Sequence, residues 1–480
     1  MSQQPDVDLL QGPAPYAIVD LATFRLVSAN ERFTAMLGVE PDAVEGTELL
    51  GLMTGRQAPL CSPAMRIRGQ LRRLPVLLVT LLLAGCESSG GAVAPKGAPS
   101  GSTAAGTTAS PSPGRGRTPL LGAYYYSWFP ENLAQGTLGP HLVPPRGPGI
   151  AYRSDDPRVA ERSIAEASAA GLDFFALDWW PTRPELNRRI DDGFLRASNL
   201  ASMHFAIFYE TGDLGVHQPY NSVTELTPAA RAHLVADMVK IATTYFADPQ
   251  YLRVGVRPVV FWYVTRTLTG DVAAAVAAVR TALRARGFDA FIVGDEISWR
   301  VITEAGVGTT APQPARARLF DAITWYNLYD TSNPAGWGYG SATTFVADVA
   351  GLATTYRDSV GGAVPIVPAV IPGYNDRGAR LGEAHGAIPR QWAPGETGAT
   401  FLQHMLDQVA LPNIDPRAPM LMVTSWNEWN EDTAIEPVTS SASTTQDDSP
   451  SGTAYTQGYR YGGPGSPELD VLRSVASARH

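Results

Sequence analysis

From residue 120 onward, short apolar runs alternate with longer stretches in which apolar residues recur at helical spacing. Short continuous apolar runs are typical of strands buried on both faces, and the longer stretches are typical of amphipathic helices. The predicted strands are 121–126, 174–178, 204–209, 258–264, 290–294, 322–326, 366–370 and 420–424. The predicted helices between them include 157–170, 228–245, 271–286, 343–357 and 399–409. This alternation predicts an α/β fold, a (β/α)8 TIM barrel.

Composition narrows the possible functions of such a barrel. No glycine-rich dinucleotide fingerprint follows any predicted strand, which argues against an open nucleotide-binding sheet. The 480 residues suffice for one large barrel plus an extension, and a net charge of −9 without a Lys/Arg cluster argues against a nucleic-acid partner. The seven histidines are scattered and both cysteines precede the barrel, so we predict no cofactor and no catalytic metal. We also expect a monomer.

Residues 65–86 have the features of a bacterial secretion signal. A basic segment, 65–73, precedes an apolar run, 74–83, that is too short to span a membrane. The run ends in Leu83-Ala84-Gly85-Cys86, which resembles the lipobox of bacterial lipoproteins. The resemblance implies cleavage before Cys86 and attachment of lipid to its thiol. We therefore expect a protein anchored to a membrane of the bacterial cell envelope, at the outer membrane or cell surface.

The segments on either side of this signal are unlike the barrel. Residues 87–117 are mainly Gly, Ala, Ser, Thr and Pro, which predicts a flexible tether in front of a domain at 118–480. Within residues 1–60, the segments Tyr16-Ala-Ile-Val-Asp20 and Ala29-Asn30-Glu31-Arg32-Phe33 resemble the start of a PAS sensor domain, over less than half of such a domain. Because a secretion signal normally begins a protein, our hypothesis is that translation starts at Met65 and residues 1–64 come from an over-extended gene model. A PAS-linked signalling protein is the alternative that the truncated segment disfavours.

Aromatic and acidic residues are concentrated where the predicted strands end. In (β/α)8 barrels the active site lies at the C-terminal ends of the strands. Tyr, Trp, Asp, Glu and Asn at nearly every such end suit a carbohydrate cleft, although Tyr124 alone would suit core packing and Asp178 alone would suit a helix cap. The candidate substrate-binding residues are Tyr124, Tyr126, Trp128, Asp178, Trp179, Trp180, Glu210, Tyr263, Glu296, Tyr326, Tyr374, Asp376, Asn427 and Trp429.

Two glutamates, Glu428 and Glu431, follow the last predicted strand among tryptophans. Hydrolysis of a glycosidic bond needs two carboxyl groups, one to protonate the leaving oxygen and one to act on the opposite side. A solvated acidic loop is the ordinary alternative. Since the pair lies at the mouth of the eighth strand, we predict that it is catalytic.

The segment around these glutamates also resembles a known family. It reads Trp426-Asn427-Glu428-Trp429-x-Glu431-x-Thr433-x-Ile435-Glu436-Pro437, which is similar to the hallmark of glycoside hydrolase family 99-like proteins, endo-α-1,2-mannosidases and WbsX-type proteins. Weaker agreement comes from the strand 1 aromatic run, from 171–180 and from Pro372-Gly373-Tyr374-x-Asp376-x3-Arg380. The resemblance spans roughly residues 120–475.

The resemblance implies specific roles for the two glutamates. Glu431 matches the family's general acid/base, and Glu428 matches the carboxylate that deprotonates the sugar's own 2-hydroxyl, so that a 1,2-anhydro sugar forms and configuration is retained. For this work Glu431 needs a raised pKa, which burial beside Trp429 and the charge of Glu428 would provide. Asn427 is a candidate for binding a hydroxyl or orienting a carboxylate, whereas Glu436 is expected to be structural.

The chain also departs from the family pattern. Asn430 and Asp432 stand where mannosidases usually have His and Gly, and strand 3 lacks the histidine expected of an endomannosidase. The sequence therefore predicts an envelope-tethered, endo-acting glycosidase for an α-linked polysaccharide, mannan-like or O-antigen-like. The alternatives are a non-catalytic carbohydrate-binding lipoprotein and a polysaccharide-assembly enzyme of the WbsX type.

Overall fold

The structure is a computed structural model in two compact units, Met1–Ala109 and Ser110–His480, each described by itself. The first unit is described only at the strands Tyr16–Asp20, Arg25–Ala29, Met65–Ile67 and Val76–Leu81. The described residues of the second unit are 119–134, 151–214, 223–326, 328, 342–377, 379–380, 386–440, 442, 444, 447, 449–454, 456, 460, 462–463 and 465–478. Cys86 and the predicted tether 87–117 lie outside the described residues.

The four described strands of the first unit form an antiparallel sheet. Tyr16–Asp20 pairs with Arg25–Ala29 on one side and with Val76–Leu81 on the other, and Val76–Leu81 also pairs with Met65–Ile67. The apolar run of the expected secretion signal, 74–83, therefore contributes one strand of this sheet. The signal itself stays a prediction.

Eight parallel strands of the second unit form a barrel. They are β1 Leu120–Tyr125, β2 Phe174–Trp179, β3 His204–Tyr209, β4 Arg257–Trp262, β5 Phe291–Asp295, β6 Ala322–Thr324, β7 in two pieces, Ile366–Val367 and Ala369–Val370, and β8 Met420–Val423. Each strand pairs with the next, and β8 pairs with β1. The first piece of β7 pairs with β6 and the second with β8, so the ring continues through the break at Pro368. The predicted (β/α)8 barrel is confirmed.

Helices connect the strands around the outside of the barrel. They are α1 Pro157–Ala169, α2 Pro184–Asp192, α3 Pro228–Tyr245, α4 Val272–Arg284, α5 Pro314–Ala317, α6 Ala342–Ser359, α7 Thr400–Met405 and α8 Pro467–Ser477. Side-chain caps fix three of the starts, because Asp156, Thr227 and Asp271 each accept a hydrogen bond from a backbone N–H of the first turn. The predicted helix 399–409 is α7 followed by a π-helical turn at Leu406–Ala410. In the part of the chain that the structure describes, no helix is long and apolar enough to cross a membrane.

Aromatic rings fill the middle of the barrel. Tyr124 on β1 lies 4.5 Å from Phe208 on β3 and 4.9 Å from Tyr326 after β6, measured between ring centroids. A Cβ at Gly122 would come within 2.2 Å of the Phe174 ring, so only glycine on β1 leaves room for that ring. This packed aromatic layer forms the floor beneath the C-terminal ends of the strands, where the candidate site lies.

Candidate functional site

Glu428 and Glu431 lie in the loop that follows β8, and the loop backbone is held from within. The Glu428 N–H donates to Ser425 Oγ at 2.7 Å, and Glu428 Oε1 accepts from the Asn430 N–H at 3.0 Å. Only 4% of Glu428 and 7% of Glu431 is exposed. The two carboxyl groups are therefore buried functional groups rather than the solvated acids of an ordinary surface loop.

The electrostatic environment of Glu428 favours its protonated form. Burial is the largest cause that raises its pKa well above the usual range, and the neighbouring charge of Glu431 adds to it. The charge of Asp178, from the end of β2, raises the pKa further, whereas the Asn430 N–H and the Arg380 guanidinium lower it. These surroundings therefore favour the protonated form of Glu428 more than water would.

Glu431 is paired with an arginine. Arg380 donates from Nη2 to Glu431 Oε1 at 2.8 Å and from Nη1 to Asp376 Oδ2 at 2.6 Å. The backbone adds a second link, since the Asn375 N–H donates to the Glu431 carbonyl at 2.9 Å. The segment after β7 thus contacts Glu431 through both main chain and side chain.

Three tyrosines surround the two glutamates. The hydroxyl of Tyr126 donates to that of Tyr326 at 2.5 Å. The pKa of the Tyr326 phenol is raised well above its usual range, first by burial and then by the charges of Glu431 and Glu428, so it is a neutral hydroxyl. Burial likewise raises the pKa of Tyr263, and the charges of Glu210 and Glu431 add to this effect. These phenols supply neutral hydroxyl groups at the acids.

A second pair of carboxyl groups lies next to the first. Asp178 at the end of β2 lies beside Glu210 after β3, and burial raises the pKa of Asp178 to about 7. Trp180 Nε1 donates to Asp178 Oδ2. Since two adjacent buried carboxylates repel each other, the pair retains a proton near neutral pH and offers both a donor and acceptors to a sugar hydroxyl.

Aromatic rings extend from the tyrosines towards solvent. The rings of Tyr126 and Trp128 are stacked, with centroids 4.1 Å apart, and Trp128 lies 6.3 Å from Trp180. The guanidinium of Arg183 lies 4.3 Å from the centroid of the Trp180 ring. Such a track of rings next to carboxyl groups suits the C–H faces of successive sugar units.

Two candidate residues are not part of the cleft. Trp179 packs against Tyr209, with centroids 5.6 Å apart, and the Lys240 ammonium on α3 lies 5.5 Å from its ring. Its side chain therefore faces the helices, because successive side chains of a strand point to opposite faces. Glu296 is 1% exposed and forms a buried ion pair with Arg316 Nε at 2.8 Å. These contacts do not favour substrate binding by either side chain, whose role in binding stays a prediction.

The remaining candidates are buried side chains. Asn427 Oδ1 accepts from the Tyr126 N–H at 2.8 Å, and its Nδ2 donates to the Tyr126 carbonyl at 3.0 Å, so this amide joins the β8 loop to β1. Tyr124 belongs to the aromatic floor of the barrel. Tyr374 and Trp429 are 0% and 2% exposed.

Several side chains that support the site were not among the candidates. Tyr152 donates to Glu436 Oε2 at 2.5 Å and accepts from Asn427 Nδ2 at 3.3 Å. Arg390 binds Asp432 Oδ1 through Nη2 at 2.9 Å and Glu468 on α8 through Nη1 at 2.7 Å. Nothing in the spacing around Tyr152 or Arg390 marked them, since both come from loops far from the strand ends in sequence. Among the described residues, no group of three or more His, Cys, Asp or Glu side chains could hold a metal ion.

Comparison with known proteins agrees with this architecture. Residues 229–444, a range that contains both glutamates, match the family described as glycosyltransferase WbsX. None of the curated proteins matches the chain. A solved structure described as a glycoside hydrolase-like protein is 20% identical, covers 76% of this chain and 96% of its own, and has a TM-score of 0.54. The GH99 endo-alpha-mannosidase from Bacteroides thetaiotaomicron in complex with Bis-Tris-propane is 17% identical over 74% of this chain and 95% of its own, with a TM-score of 0.49.

The solved glycoside hydrolase-like structure shows the same barrel fold, and the family match includes the motif after β8. The resemblance to WbsX-type proteins is thereby confirmed over residues 229–444, and the likeness to the glycoside hydrolase-like structure is one of fold.

Proposed function

We propose that this chain is a retaining, endo-acting glycosidase that cleaves an α-linked polysaccharide of the mannan or O-antigen type. The observation that carries this proposal is the pair of buried carboxyl groups, Glu428 and Glu431, in the loop after the last barrel strand. Barrel catalysis takes place at this end of the strands, and cleavage of a glycosidic bond needs two carboxyl groups. The fold that the chain shares with a solved glycoside hydrolase-like protein supports the same reaction class.

The two glutamates have separate tasks in this proposal. Glu431 donates a proton to the departing glycosidic oxygen, and Glu428 takes the proton of the substrate's 2-hydroxyl, whose oxygen then attacks the anomeric carbon from the back. The C1–O bond to the leaving group breaks as the new bond from the 2-oxygen forms, which gives a 1,2-anhydro sugar. Water then attacks the anomeric carbon with Glu431 as base, and Glu428 returns its proton to the 2-oxygen as the C1–O2 bond breaks, so the original configuration is restored.

The surrounding side chains would bind the glycan. The hydroxyl groups of Tyr126 and Tyr326, paired at 2.5 Å, lie beside both acids and can exchange hydrogen bonds with ring hydroxyls. Asp178 and Glu210 can bind a neighbouring hydroxyl as donor and acceptor together. Trp128 and Trp180 offer stacking surfaces along the direction in which the chain would extend, which supports action within a polymer.

The test is a cleavage assay with the full chain on α-mannans and α-glucans. Wild type should release oligosaccharides, and Glu428→Gln and Glu431→Gln should each lose at least about 10²-fold in kcat/KM, since each removes one acid–base function. Glu185→Gln, which neutralises an exposed acid in the first turn of α2, is the matched control and should keep wild-type activity. Release of oligosaccharide with less than about tenfold loss in both site variants would refute the assigned roles.

The family match favours a second candidate function, glycosyl transfer during polysaccharide assembly. A transferase would lengthen an acceptor glycan when supplied with an activated sugar, whereas the glycosidase would only shorten it. A non-catalytic carbohydrate-binding lipoprotein would bind the glycan and leave its length unchanged. Chain-length analysis of the same glycan, with and without nucleotide sugars, separates the three.

We also propose that the barrel works at the cell envelope as a monomer, joined to the membrane through lipid on Cys86. The lipobox residues 83–86 and the low-complexity residues 87–117 support this placement, because such a segment keeps a folded domain at a distance from its anchor. A tethered endo-acting enzyme would reach polymers too large to cross the membrane.

A further inference from the structure

Asp295, the last residue of β5, contacts the ends of both neighbouring strands and was not among the predicted substrate-binding residues. The residue is buried. Its Oδ2 accepts from the backbone N–H of Val264, after β4, at 3.0 Å, and its Oδ1 accepts from the backbone N–H of Tyr326, after β6, at 3.3 Å. The Arg266 guanidinium also donates to Oδ2. One carboxyl group thus joins the ends of three consecutive strands.

The two backbone positions that Asp295 binds belong to a pair of tyrosines in the candidate site. Tyr326 donates from its own N–H, and Val264 directly follows Tyr263. The rings of the two tyrosines are edge to face, with centroids 5.1 Å apart. Burial raises the pKa of both phenols, and the charge of Glu431 raises it further, so both rings lie near that acid. Asp295 therefore binds the backbone beside each member of this pair.

Val264 has a strained backbone. Its φ of 46° and ψ of 32° lie in the left-handed region, which is unfavourable for a β-branched residue. Such a conformation persists only where the surrounding structure fixes it, and it is more common at functional sites than elsewhere. The N–H of Val264 is bonded to Asp295, and its carbonyl accepts from the N–H and the Oγ1 of Thr267, both at 2.9 Å. The chain directly after Tyr263 is thus held in one conformation, and Asp295 contributes one of the bonds that hold it.

We propose that Asp295 is a positioning residue that sets the distance between Tyr263 and Tyr326 beside Glu431. This inference rests on the proposed function, in which phenol hydroxyls bind the reacting sugar unit. The oxygens of Asp295 bind backbone and guanidinium donors, so the residue acts through the tyrosines and not on the glycan. A carboxyl group suits this task because both oxygens accept hydrogen bonds, whereas an amide of the same shape must turn its NH2 group towards one of the two backbone N–H groups.

A carboxyl group between strands can also have a purely structural role, and Asp321 provides the comparison. Its Oδ2 accepts from the backbone N–H of Ile292 in β5 at 2.9 Å and from Arg280 at 2.8 Å. Its Oδ1 pairs with Arg257 at 2.7 Å. Asp321 therefore combines backbone and guanidinium contacts as Asp295 does, but at the N-terminal ends of the strands. This makes Asp321→Asn the matched control.

The test is a mutant cycle on kcat and KM for the glycan that wild type cleaves. It combines Asp295→Asn or Asp321→Asn with the wild-type background, Tyr263→Phe or Tyr326→Phe. Asp295→Asn should lower kcat by about tenfold to 10²-fold, since small displacements of groups around the reacting atoms have effects of this size. KM should change less, because hydrogen bonds to the reacting sugar strengthen in the transition state.

The tyrosine backgrounds distinguish positioning from a general loss of structure. In Tyr263→Phe or Tyr326→Phe, the further loss from Asp295→Asn should be smaller than in wild type, because one of the positioned hydroxyls is already absent. Asp321→Asn should leave kcat and KM unchanged in every background. Asp295→Ser, which has one side-chain oxygen instead of two, is a second replacement and should show the same dependence on the tyrosines.

Three results would overturn the proposal. The first is the same loss of kcat from Asp295→Asn in all three backgrounds, which would mean that the residue does not act through the phenols. The second is an equal loss from Asp321→Asn, which would indicate a structural role for both carboxyl groups. The third is an unchanged kcat in Asp295→Asn.

Fluorine NMR of the full chain labelled with 3-fluorotyrosine tests the placement without turnover. The signals of Tyr263 and Tyr326 are assigned by their loss in the two phenylalanine variants. Asp295→Asn should shift both signals, and Asp321→Asn should shift neither. If no glycan is cleaved but both signals shift, the glycosidase proposal fails and the role of Asp295 in placing the tyrosines stands. If either signal stays in place, that role is wrong whether or not glycan is cleaved.

Discussion

Adjacent residues at the strand ends have different roles, because the side chains of a strand point alternately to its two faces. Asp178 points into the cleft beside Glu210, whereas the next residue, Trp179, packs against α3. Residue type alone marked both as cleft residues. Glu296 was selected in the same way, but it forms a buried ion pair with Arg316. No sequence motif connects these two residues. The sequence can locate a strand end, but the pleat and the neighbouring helix decide which side chain of a pair faces the substrate.

Glu436 was expected to be structural, and its surroundings predict a specific effect of pH on stability. Burial raises the pKa of this carboxyl to about 8, with Tyr152 and Arg162 as its partners. In the unfolded chain it ionises near pH 4.5. Between these values the folded state binds a proton that the unfolded state has lost, so stability from this group is full at acidic pH and falls as pH rises towards 8.

The free energy of unfolding of Glu436→Gln should therefore be similar to that of wild type near pH 5. By pH 8 it should be the larger of the two. The difference should grow by at most about 1.4 kcal/mol per pH unit, which is the free energy of one pKa unit. Urea unfolding of both proteins at pH 5, 6.5 and 8 measures it. A difference that stays constant, or that favours wild type increasingly at high pH, would show that Glu436 is ionised in the folded protein.

The loop after β8 is held by contacts with three other elements. These contacts differ in how well the sequence predicts them. Its link to β1 runs through Asn427, a residue of the motif, and its link to β7 runs through Arg380, which the weaker motif includes. The third link runs through Arg390 to α8. The sequence predicted neither the helix α8 nor the role of Arg390. Buried parallel strands are continuous apolar runs that can be found in sequence, whereas a short helix after a low-complexity segment has no such signal. The ion pairs between elements depend on distances that only the fold creates.

Arg390 is predicted to be the main stabilising contact of this loop. Its guanidinium binds Asp432 Oδ1, the carbonyls of Asp432 and Ala434, and Glu468 of α8, all while buried. Arg390→Met would leave two buried carboxylates without a partner, which should lower the free energy of unfolding by about 3–5 kcal/mol. Denaturant unfolding measures this value.

The matched control for Arg390 is Arg417→Met, which breaks an ion pair with Asp415 whose arginine side chain is 50% exposed. Exposed pairs of this kind contribute about 0–1 kcal/mol. Equal losses in the two variants would mean that the Arg390 network does not stabilise the fold more than a surface pair. A large loss for Arg390→Met alone would support the Arg390 network as the anchor of the loop after β8.

At the scale of the whole molecule, the sequence predicts the barrel and the position of its site more fully than the path of its first hundred residues. Eight apolar runs determine the barrel, and the motif at the last run locates the site. The N-terminal unit gives two competing signals, because the apolar run 74–83 suits a secretion signal and also supplies the strand Val76–Leu81. A strand paired with Tyr16–Asp20 and a cleaved signal cannot both describe the mature protein.

Cellular fractionation tests whether residues 65–86 act as a cleaved secretion signal or remain in the protein as part of the N-terminal sheet. If Met65 is the start and Cys86 carries lipid, the wild-type protein should partition into the detergent phase, and its mature form should begin at Cys86. Cys86→Ala should lose the lipid and move to the aqueous phase with the barrel still folded. Cys61→Ala is the matched control, since this cysteine precedes the proposed start and should leave partitioning unchanged. Detection of peptides from residues 1–60 on the mature protein, or an aqueous wild type, would contradict the anchor and favour the paired sheet of the N-terminal unit.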